Sequence, residues 1–214
     1  MKVSGAMPNP PKQLAIELAE ELKKQNIDFK GKIMINSEKI INGEKPISFP
    51  DNKVILEYKS PTLDKIVYWF LKKSVNLFGE TFVKTMAKEK TGNPSFESGM
   101  KYLKSFWKDK GIDERMINFV DGSGLSPQNY ASAKAEVQAL LWAKKQPWFS
   151  AYYDGFPVMG NGMKMKSGSI KDSRAFTGYH TSATGKNYVF SIIMNNYQAT
   201  DLSNALYNVL NVLK

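Results

Sequence analysis

The 214 residues are 42% hydrophobic and 23% charged, which is ordinary for a globular protein with a buried core. There is no cysteine, which excludes disulfides, thiolate metal sites and a cysteine nucleophile, and the single histidine, His180, argues against a Ser-His-Asp triad; we expect no metal ion or cofactor. The net charge of +10 suggests a nucleic-acid partner, but the lysines are scattered and Arg115 and Arg174 are the only arginines, so we expect none.

Helix and turn patterns alternate in the first quarter of the chain. Leucines recur at every fourth position after an Asn-Pro-Pro sequence, which predicts a helix from about Pro10 to Asn26. The segment that follows is predicted to contain two short strands and a loop between them: Lys32–Asn36 and Val54–Tyr58 as the strands, and Glu38–Asp51 as the loop.

The middle of the chain is predicted to be mainly helical. Apolar residues recur at helical spacing after three serines that precede or begin helices. We expect these helices to start near Ser60, Ser74 and Ser95, the last of them reaching Lys108. A strand, a tight loop and a further helix are expected next: Met116–Val120, Asp121–Gly124 and Ala133–Lys144.

The last third of the chain is predicted to form an antiparallel sheet. An irregular segment, Phe149–Gly162, precedes three strands, the last two of which flank a Thr-Gly-Lys turn, and a leucine-rich helix begins near Leu202. With no repeat and no linker in the sequence, we predict a single domain over residues 1–214 of the α/β class (α+β type), an antiparallel sheet packed with helices. The three strands are Met163–Ser169, Arg174–Thr181 and Tyr188–Asn195.

Three short sequences carry candidate chemistry. Ser74-Val75-Asn76 stands at a predicted helix junction, Asp121-Gly122-Ser123-Gly124-Leu125-Ser126 forms a loop, and Lys166-Ser167-Gly168 lies on a strand before a hairpin. Each has an ordinary alternative explanation: Ser74 as a helix N-cap, Asn76 as an exposed first-turn residue and Lys166 as a surface lysine. Their order along the chain favours a functional interpretation.

Together these sequences resemble the D-alanyl-D-alanine carboxypeptidase/endopeptidase family, the class C low-molecular-mass penicillin-binding proteins, whose motifs are S-x-x-K, S-x-N and K-[TS]-G. The resemblance extends from about Val3 to Tyr197 and implies the β-lactamase/transpeptidase-like fold. It also implies a serine-type enzyme that acts on the D-Ala-D-Ala stem peptides of peptidoglycan through an acyl-enzyme. β-Lactams are then expected ligands, and the expected location is the periplasm or cell envelope of a bacterium.

The resemblance implies a role for each motif residue. The catalytic set is Ser74, which relays a proton to the leaving group, Asn76, which holds the substrate amide, and Lys166, which supplies positive potential. Strict strand alternation puts Lys166 and Ser167 on opposite faces, so one of them has to act from the side of the strand. The substrate-binding set comprises the Ser167 hydroxyl for the terminal carboxylate, Gly168 for close backbone approach, and the Ser169 N–H for the oxyanion.

The expected nucleophile motif is missing before Ser74. Two downstream strings match S-x-x-K, Ser98–Lys101 and Ser105–Lys108, but they share the polar stripe of one helix, where a catalytic lysine would be solvated rather than buried. We interpret both as accidental. We therefore expect the nucleophile to lie outside this chain and the fold to be incomplete at its N-terminal end.

Two further expectations follow from an incomplete fold. The strand edge beside Tyr188–Asn195 should be open and should favour self-association, or association with the missing N-terminal part. The start of the chain has no signal peptide, and no run of residues approaches the roughly 18 apolar residues of a membrane span. The alternative function is a non-catalytic peptidoglycan-binding module that keeps the groove without the nucleophile.

Overall fold

The computed structural model describes residues 7–48, 56–198 and 201–214. The chain divides into two compact units, residues 1–58 and 59–214, and each is described by itself. The single domain expected over residues 1–214 stays a prediction. Within the described ranges, no helix combines the length and apolar character needed to cross a membrane.

Among its described residues, 7–48 and 56–58, the first unit contains two helices, α1 (Pro10–Lys24) and α2 (Asn36–Ile41). As the Asn-Pro-Pro sequence predicts, the Asn9 side chain caps α1 by accepting from the Lys12 N–H. The strand predicted over Lys32–Asn36 is wrong, because residues 31–35 have no regular secondary structure and α2 starts at Asn36. The Asn36 side chain instead bonds both backbone groups of Ile47, at 3.0 and 2.8 Å.

Two other predictions for this unit also fail or go untested. The loop expected from Glu38 is wrong at its start, since α2 runs to Ile41. The strand expected over Val54–Tyr58 falls largely on residues 51–55, which lie outside the described residues, and residues 56–58 are not in a strand.

The second unit contains six α-helices in its described part. The helix predicted from Ser60 begins at Leu63 with Thr62 as its N-cap, two residues later than expected. The helix predicted to start near Ser74 begins at Asn76 and ends at Thr91, where the following Gly92 takes a left-handed conformation with φ of 73°. The helices are α3 (Leu63–Lys73), α4 (Asn76–Thr91), α5 (Phe96–Asp109), α6 (Ala133–Lys144), α7 (Phe149–Asp154) and α8 (Leu202–Leu210).

Two antiparallel sheets are present in the part of this unit that the structure describes, and the larger one confirms the predicted C-terminal sheet. The short strands β1 (Ile117–Asn118) and β2 (Tyr130–Ala131) pair with each other. The three-stranded sheet has the order β3-β4-β5, with each neighbouring pair antiparallel. Its strands are β3 (Lys164–Ile170), β4 (Ser173–Thr181) and β5 (Asn187–Asn195).

Helices cover both faces of the three-stranded sheet. On one face α8 packs its leucines against a core that includes Met165, Phe176 and Phe190. On the opposite face Tyr179 packs with Leu71 of α3 and Leu140 of α6, and its hydroxyl donates to the Leu140 carbonyl at 2.9 Å. This second face carries the side chain of Lys166, because residues of β3 alternate between the faces.

The segment Phe149–Gly162, predicted to be irregular, begins with a helix. In α7 the side chains of Phe149, Tyr152 and Tyr153 follow the spacing of one helix face and pack around Tyr179 or Phe156. The packing of aromatic rings on the sheet therefore stabilises a helix as short as six residues.

A buried carboxyl group lies between α6 and the sheet. The Ser191 hydroxyl of β5 donates to Glu136 Oε2 at 2.7 Å. Burial raises the pKa of Glu136 above its ordinary value of 4.5, although hydrogen bonds from Ser191 and Thr177 oppose the shift. The folded state thus disfavours the charged form of this carboxyl group.

We expect stability to fall as the pH rises through the raised pKa of Glu136. The folded state holds this proton more tightly than the unfolded state, so its contribution is present below the ordinary pKa of 4.5 and is lost above the raised pKa. Glu136→Gln should remove this part of the pH dependence. Urea unfolding at about pH 4 and about pH 7 measures it, with Glu89→Gln on α4 as control. An unchanged pH dependence in Glu136→Gln would contradict the assignment.

Candidate active site

Ser74 lies at the junction of α3 and α4 in a left-handed backbone conformation. Its φ and ψ are 53° and 51°, and its N–H donates to the Phe70 carbonyl at 2.8 Å as the C-cap of α3. The N-cap of α4 is Val75, so the interpretation of Ser74 as an N-cap is wrong. A serine in this conformation costs on the order of 1 kcal/mol, and such strain is concentrated at functional sites.

Lys166 reaches from β3 to this junction. Its Nζ donates to Ser74 Oγ at 3.0 Å and to the carbonyl of Ser167 at 2.9 Å. Partial burial lowers the pKa of Lys166. Ser74 and Lys166 therefore lie on the same side of the sheet, and Lys166 is more than a solvated surface lysine.

Lys166 and Ser167 face opposite sides of β3. Lys166 is paired across the sheet with Thr177, whereas Ser167 is paired with Phe176, which is fully buried under α8. Directly opposed residues of antiparallel strands share a face. The expected alternation thus holds, and a role for the Ser167 hydroxyl in binding a carboxylate at the strand edge stays a prediction.

The outer edge of β3 is paired at its start and open beyond it. Val158 forms a bridge with Lys164, and the Met165 N–H donates to the Pro157 carbonyl at 3.0 Å. Because successive N–H groups alternate between the two edges of a strand, those of Ser167 and Ser169 point to the same outer edge. Among the described residues no strand pairs with that edge after Met165, which leaves room for an extended chain.

Neither Gly168 on β3 nor Asn76 on α4 is required by the fold as a residue type. A Cβ added to Gly168 would meet only the Cβ of Ala175 at 3.8 Å, an ordinary contact. Asn76 is exposed as the first residue of α4, two positions after Ser74. Their expected contacts with a substrate stay predictions.

The loop of residues 121–126, here called the DGSGLS loop, is held by its own aspartate. The Asp121 carboxylate accepts from the backbone N–H groups of Gly124 and Ser126 and from the side chains of Ser123 and Asn129. Burial opposes ionisation, but the hydrogen bonds from Ser126 and Gly124 outweigh it and lower the pKa of Asp121. The tight loop predicted here is confirmed.

Sequence reasoning missed the partners of this loop on α4. The Glu80 carboxylate accepts from the N–H groups of Gly122 and Ser123, and the backbone of Gly79 lies against that of Gly122. A cavity of about 490 Å³ opens beside this contact, with Phe70 and Phe82 among its lining residues. The available signal was the position of Glu80, four residues after Asn76 and hence on the same side of a helix.

The two downstream S-x-x-K strings lie on α5 and do not form a catalytic pair. Within the described ranges, neither the Ser98 nor the Ser105 hydroxyl hydrogen-bonds a lysine, although Ser98 is partly buried rather than exposed as expected. Lys101 and Lys108 are exposed. A hydrogen bond with Glu114 raises the pKa of Lys108, opposite to the shift that a catalytic lysine needs.

Comparison with known proteins finds relatives that are named D-Ala-D-Ala carboxypeptidases. Residues 1–162 match the sequence model of the D-Ala-D-Ala carboxypeptidase 3 (S13) family, a range that includes Ser74, Asn76 and the DGSGLS loop and ends before Lys166. The chain is 26% identical over 208 residues to a D-alanyl-D-alanine carboxypeptidase of Actinomadura sp., covering 87% of this chain and 37% of that protein. It is 24% identical over 218 residues to the D-alanyl-D-alanine carboxypeptidase DacB of Haemophilus influenzae, covering 94% and 43%.

Solved structures show the same fold. Penicillin-binding protein 4 (dacB) of Haemophilus influenzae, in complex with a β-lactam, superposes with a TM-score of 0.77 and 24% identity over 99% of this chain and 53% of that one. The TLA-1 extended-spectrum β-lactamase superposes with a TM-score of 0.52 and 13% identity, over 94% of this chain and 82% of that one. The expected β-lactamase/transpeptidase-like fold is confirmed.

The curated relatives are longer proteins than this chain, which spans 37% and 43% of the two described above. The family match nevertheless extends over residues 1–162 of the 214. The resemblance first suggested by three short sequences is thereby confirmed, and the chain belongs to the D-Ala-D-Ala carboxypeptidase 3 (S13) family.

Proposed function

We propose that this chain provides the substrate groove of a serine-type D-alanyl-D-alanine carboxypeptidase/endopeptidase that cleaves peptidoglycan stem peptides through an acyl-enzyme. The observation that supports this most is the 3.0 Å hydrogen bond from Lys166 Nζ to Ser74 Oγ beside the open edge of β3. The two residues are 92 positions apart in the sequence, and the fold brings their side chains into contact. The chain that contains them belongs to the carboxypeptidase family.

The stem peptide binds as an additional strand on the outer edge of β3. The N–H groups of Ser167 and Ser169 point to this edge and can pair with an extended backbone. The Lys166 ammonium attracts the terminal carboxylate of the substrate, and the Ser167 hydroxyl donates to it at the strand edge. Gly168 lets the substrate approach the strand without a side chain in between.

Acylation then replaces the terminal peptide bond by an ester. The hydroxyl oxygen of the nucleophilic serine attacks the carbonyl carbon of the penultimate D-alanine and loses its proton to Ser74, and the negative charge that develops on the carbonyl oxygen is stabilised by the Ser169 N–H. The carbon–nitrogen bond breaks as Ser74 passes a proton to the leaving amine, and Lys166, with its lowered pKa, donates to Ser74. Asn76 holds the substrate amide, and water hydrolyses the ester to regenerate the serine.

The same groove accounts for the other proposed ligands and the location. A β-lactam presents a carboxylate and an acyl carbonyl like those of the terminal dipeptide, so it is proposed to bind at Lys166 and Ser167. An enzyme with this substrate works where peptidoglycan lies, in the periplasm or cell envelope of a bacterium. The edge of β5 that does not pair with β4 is proposed to associate with the rest of the fold or with a second copy.

Exposure of the chain alone to a β-lactam should yield no covalent adduct. Lys166, Ser167 and Asn76 hold a carboxylate and an amide, but acylation needs an activated serine, and Ser98 and Ser105 lack a buried lysine partner. Incubation with a fluorescent penicillin followed by intact-mass measurement tests this. A stoichiometric mass increase that maps to a serine of this chain would show that the nucleophile is present in it.

The enzymatic activity is tested in a polypeptide that joins this chain to the segment of a family member that carries the S-x-x-K nucleophile motif. That polypeptide should release D-alanine from an N-acyl-D-Ala-D-Ala peptide and should gain the mass of one β-lactam. If it binds the peptide without releasing D-alanine or forming the adduct, the proposed enzymatic function is wrong.

A further inference from the structure

The carboxylate of Glu80 links α4 to the DGSGLS loop with both of its oxygens. Oε1 accepts from the Ser123 N–H at 3.1 Å and Oε2 accepts from the Gly122 N–H at 3.3 Å. Two backbone donors that share one ionised acceptor make a charge-assisted pair, which is stronger and more directional than a single neutral hydrogen bond. The loop is thereby fixed to the second turn of the helix.

A backbone contact next to the Glu80 carboxylate fixes the same loop. Gly79, next to Glu80, lies so close to Gly122 that a Cβ on either glycine would overlap the carbonyl oxygen of the other. Main-chain atoms in contact cannot move apart without breaking the Glu80 bonds, and they cannot move closer. Gly79, Glu80 and Gly122 therefore define one distance between helix and loop.

The loop transmits this constraint because it is internally tied. Asp121 bonds the N–H groups of Gly124 and Ser126, at the far end of the loop, and the Asn129 side chain beyond it. Ser123 donates hydrogen bonds to both carboxylates: its hydroxyl donates to Asp121 and its N–H donates to Glu80. The DGSGLS loop is thus held to α4 as one unit.

This unit lies along the side of α4 that carries Asn76. Residues three and four positions apart are neighbours on a helix surface, so Asn76 shares one stripe with Gly79 and Glu80. We propose that Glu80 is a positioning residue that sets the place of Asn76 in the groove through the DGSGLS loop, an inference that rests on the proposed function of that groove. Glu80 acts through Asn76 and the loop and does not touch the substrate.

The first test uses the chain itself and does not depend on activity. Glu80→Ala removes both acceptors and Glu80→Gln keeps one, so amide exchange at Gly122 and Ser123 should rise by about tenfold or more in Glu80→Ala and less in Glu80→Gln. The side-chain amide resonance of Asn76 should shift in the same order. Glu89→Gln, an exposed substitution on the same helix, is the matched control and should change neither.

A role limited to stability would give a different pattern. A loss of stability alone would lower the urea midpoint of unfolding and raise amide exchange throughout residues 59–214. The Asn76 side-chain resonance would keep its wild-type position. If Asn76 keeps its wild-type resonance in a folded Glu80 variant whose loop amides exchange freely, the positioning role is wrong. Glu80→Gln keeps the test decisive if Glu80→Ala does not fold.

The second test measures catalysis in the polypeptide that includes a nucleophile segment. Glu80→Gln should lower kcat/KM for an N-acyl-D-Ala-D-Ala peptide by about tenfold, with the Lys166-dependent pH profile unchanged. Equal kcat/KM for Glu80→Gln and wild type would overturn the proposal. A wild-type protein without activity would instead refute the proposed function, and the Asn76 resonance would still decide whether Glu80 holds the loop.

Discussion

Lys166→Met should lower the rate of acylation by a β-lactam by about a hundredfold or more, the largest effect expected in this protein. The substitution keeps the length of the side chain but removes the cation that attracts the carboxylate and the donor to Ser74 Oγ at 3.0 Å. The measurement is single-turnover acylation by a fluorescent penicillin in a polypeptide that contains this chain and a nucleophile segment.

Two companion variants separate charge from proton transfer. Lys164→Met removes a lysine two positions earlier on the same face of β3, where its Nζ lies 3.4 Å from Asp154, and should acylate as wild type does. Lys166→Arg keeps the positive charge but cannot lose its proton, so it should retain ligand affinity and lose most of the acylation rate. If Lys166→Met acylates at the rate of Lys164→Met, the role assigned to Lys166 is wrong.

Loss of activity in Lys166→Met is not expected to reflect unfolding. Burial lowers the pKa of Lys166, which means that the folded state disfavours the ammonium. Wild-type stability should therefore rise as the pH rises through this lowered pKa toward the ordinary value of 10.5, and Lys166→Met should lack that rise. Thermal unfolding at about pH 7 should place the variant at or above wild type.

The sequence predicted the sheet well because its strands carry local signals. A Thr-Gly-Lys turn between two segments rich in aromatic and β-branched residues specifies the β4–β5 hairpin, and Gly185 takes the positive φ that such a turn needs. The failures have tertiary causes. The segment before Asn36 looks like a strand but finds no strand partner among the described residues, and α7 forms because its aromatic rings pack on Tyr179.

The motifs predicted which residues form the site but not how they are arranged. The order of Ser74-Val75-Asn76 and Lys166-Ser167-Gly168 indicated a shared groove, yet only the fold shows that Lys166 bonds Ser74 across 92 positions. The sequence offered only the spacing of Glu80, four residues after Asn76, because its partners are the backbone N–H groups of a loop more than 40 residues away. Nearly every residue type has a backbone N–H, so the sequence does not show which of these groups a carboxylate will bind.

Gly79→Ala should destabilise the second unit by about 2 kcal/mol or more, although local propensity alone predicts the opposite. Gly79 lies inside α4, where alanine is favoured over glycine by about 1 kcal/mol. The added Cβ would overlap the carbonyl oxygen of Gly122, a backbone atom that the Glu80 and Asp121 hydrogen bonds prevent from yielding. An overlap of this kind costs about 3 kcal/mol, which outweighs the gain in propensity.

Gly168→Ala is the matched control, because its new methyl group would meet only the Cβ of Ala175 at 3.8 Å. Its free energy of unfolding should stay within about 0.5 kcal/mol of wild type, while its groove should bind an extended peptide less well. Urea unfolding of both variants gives the comparison. If Gly79→Ala is as stable as wild type, the loop does not rest on α4, and Glu80 cannot hold Asn76 in place through it. If it unfolds more easily while Gly168→Ala does not, the close contact of Gly79 and Gly122 is what ties the loop to the helix that carries Asn76.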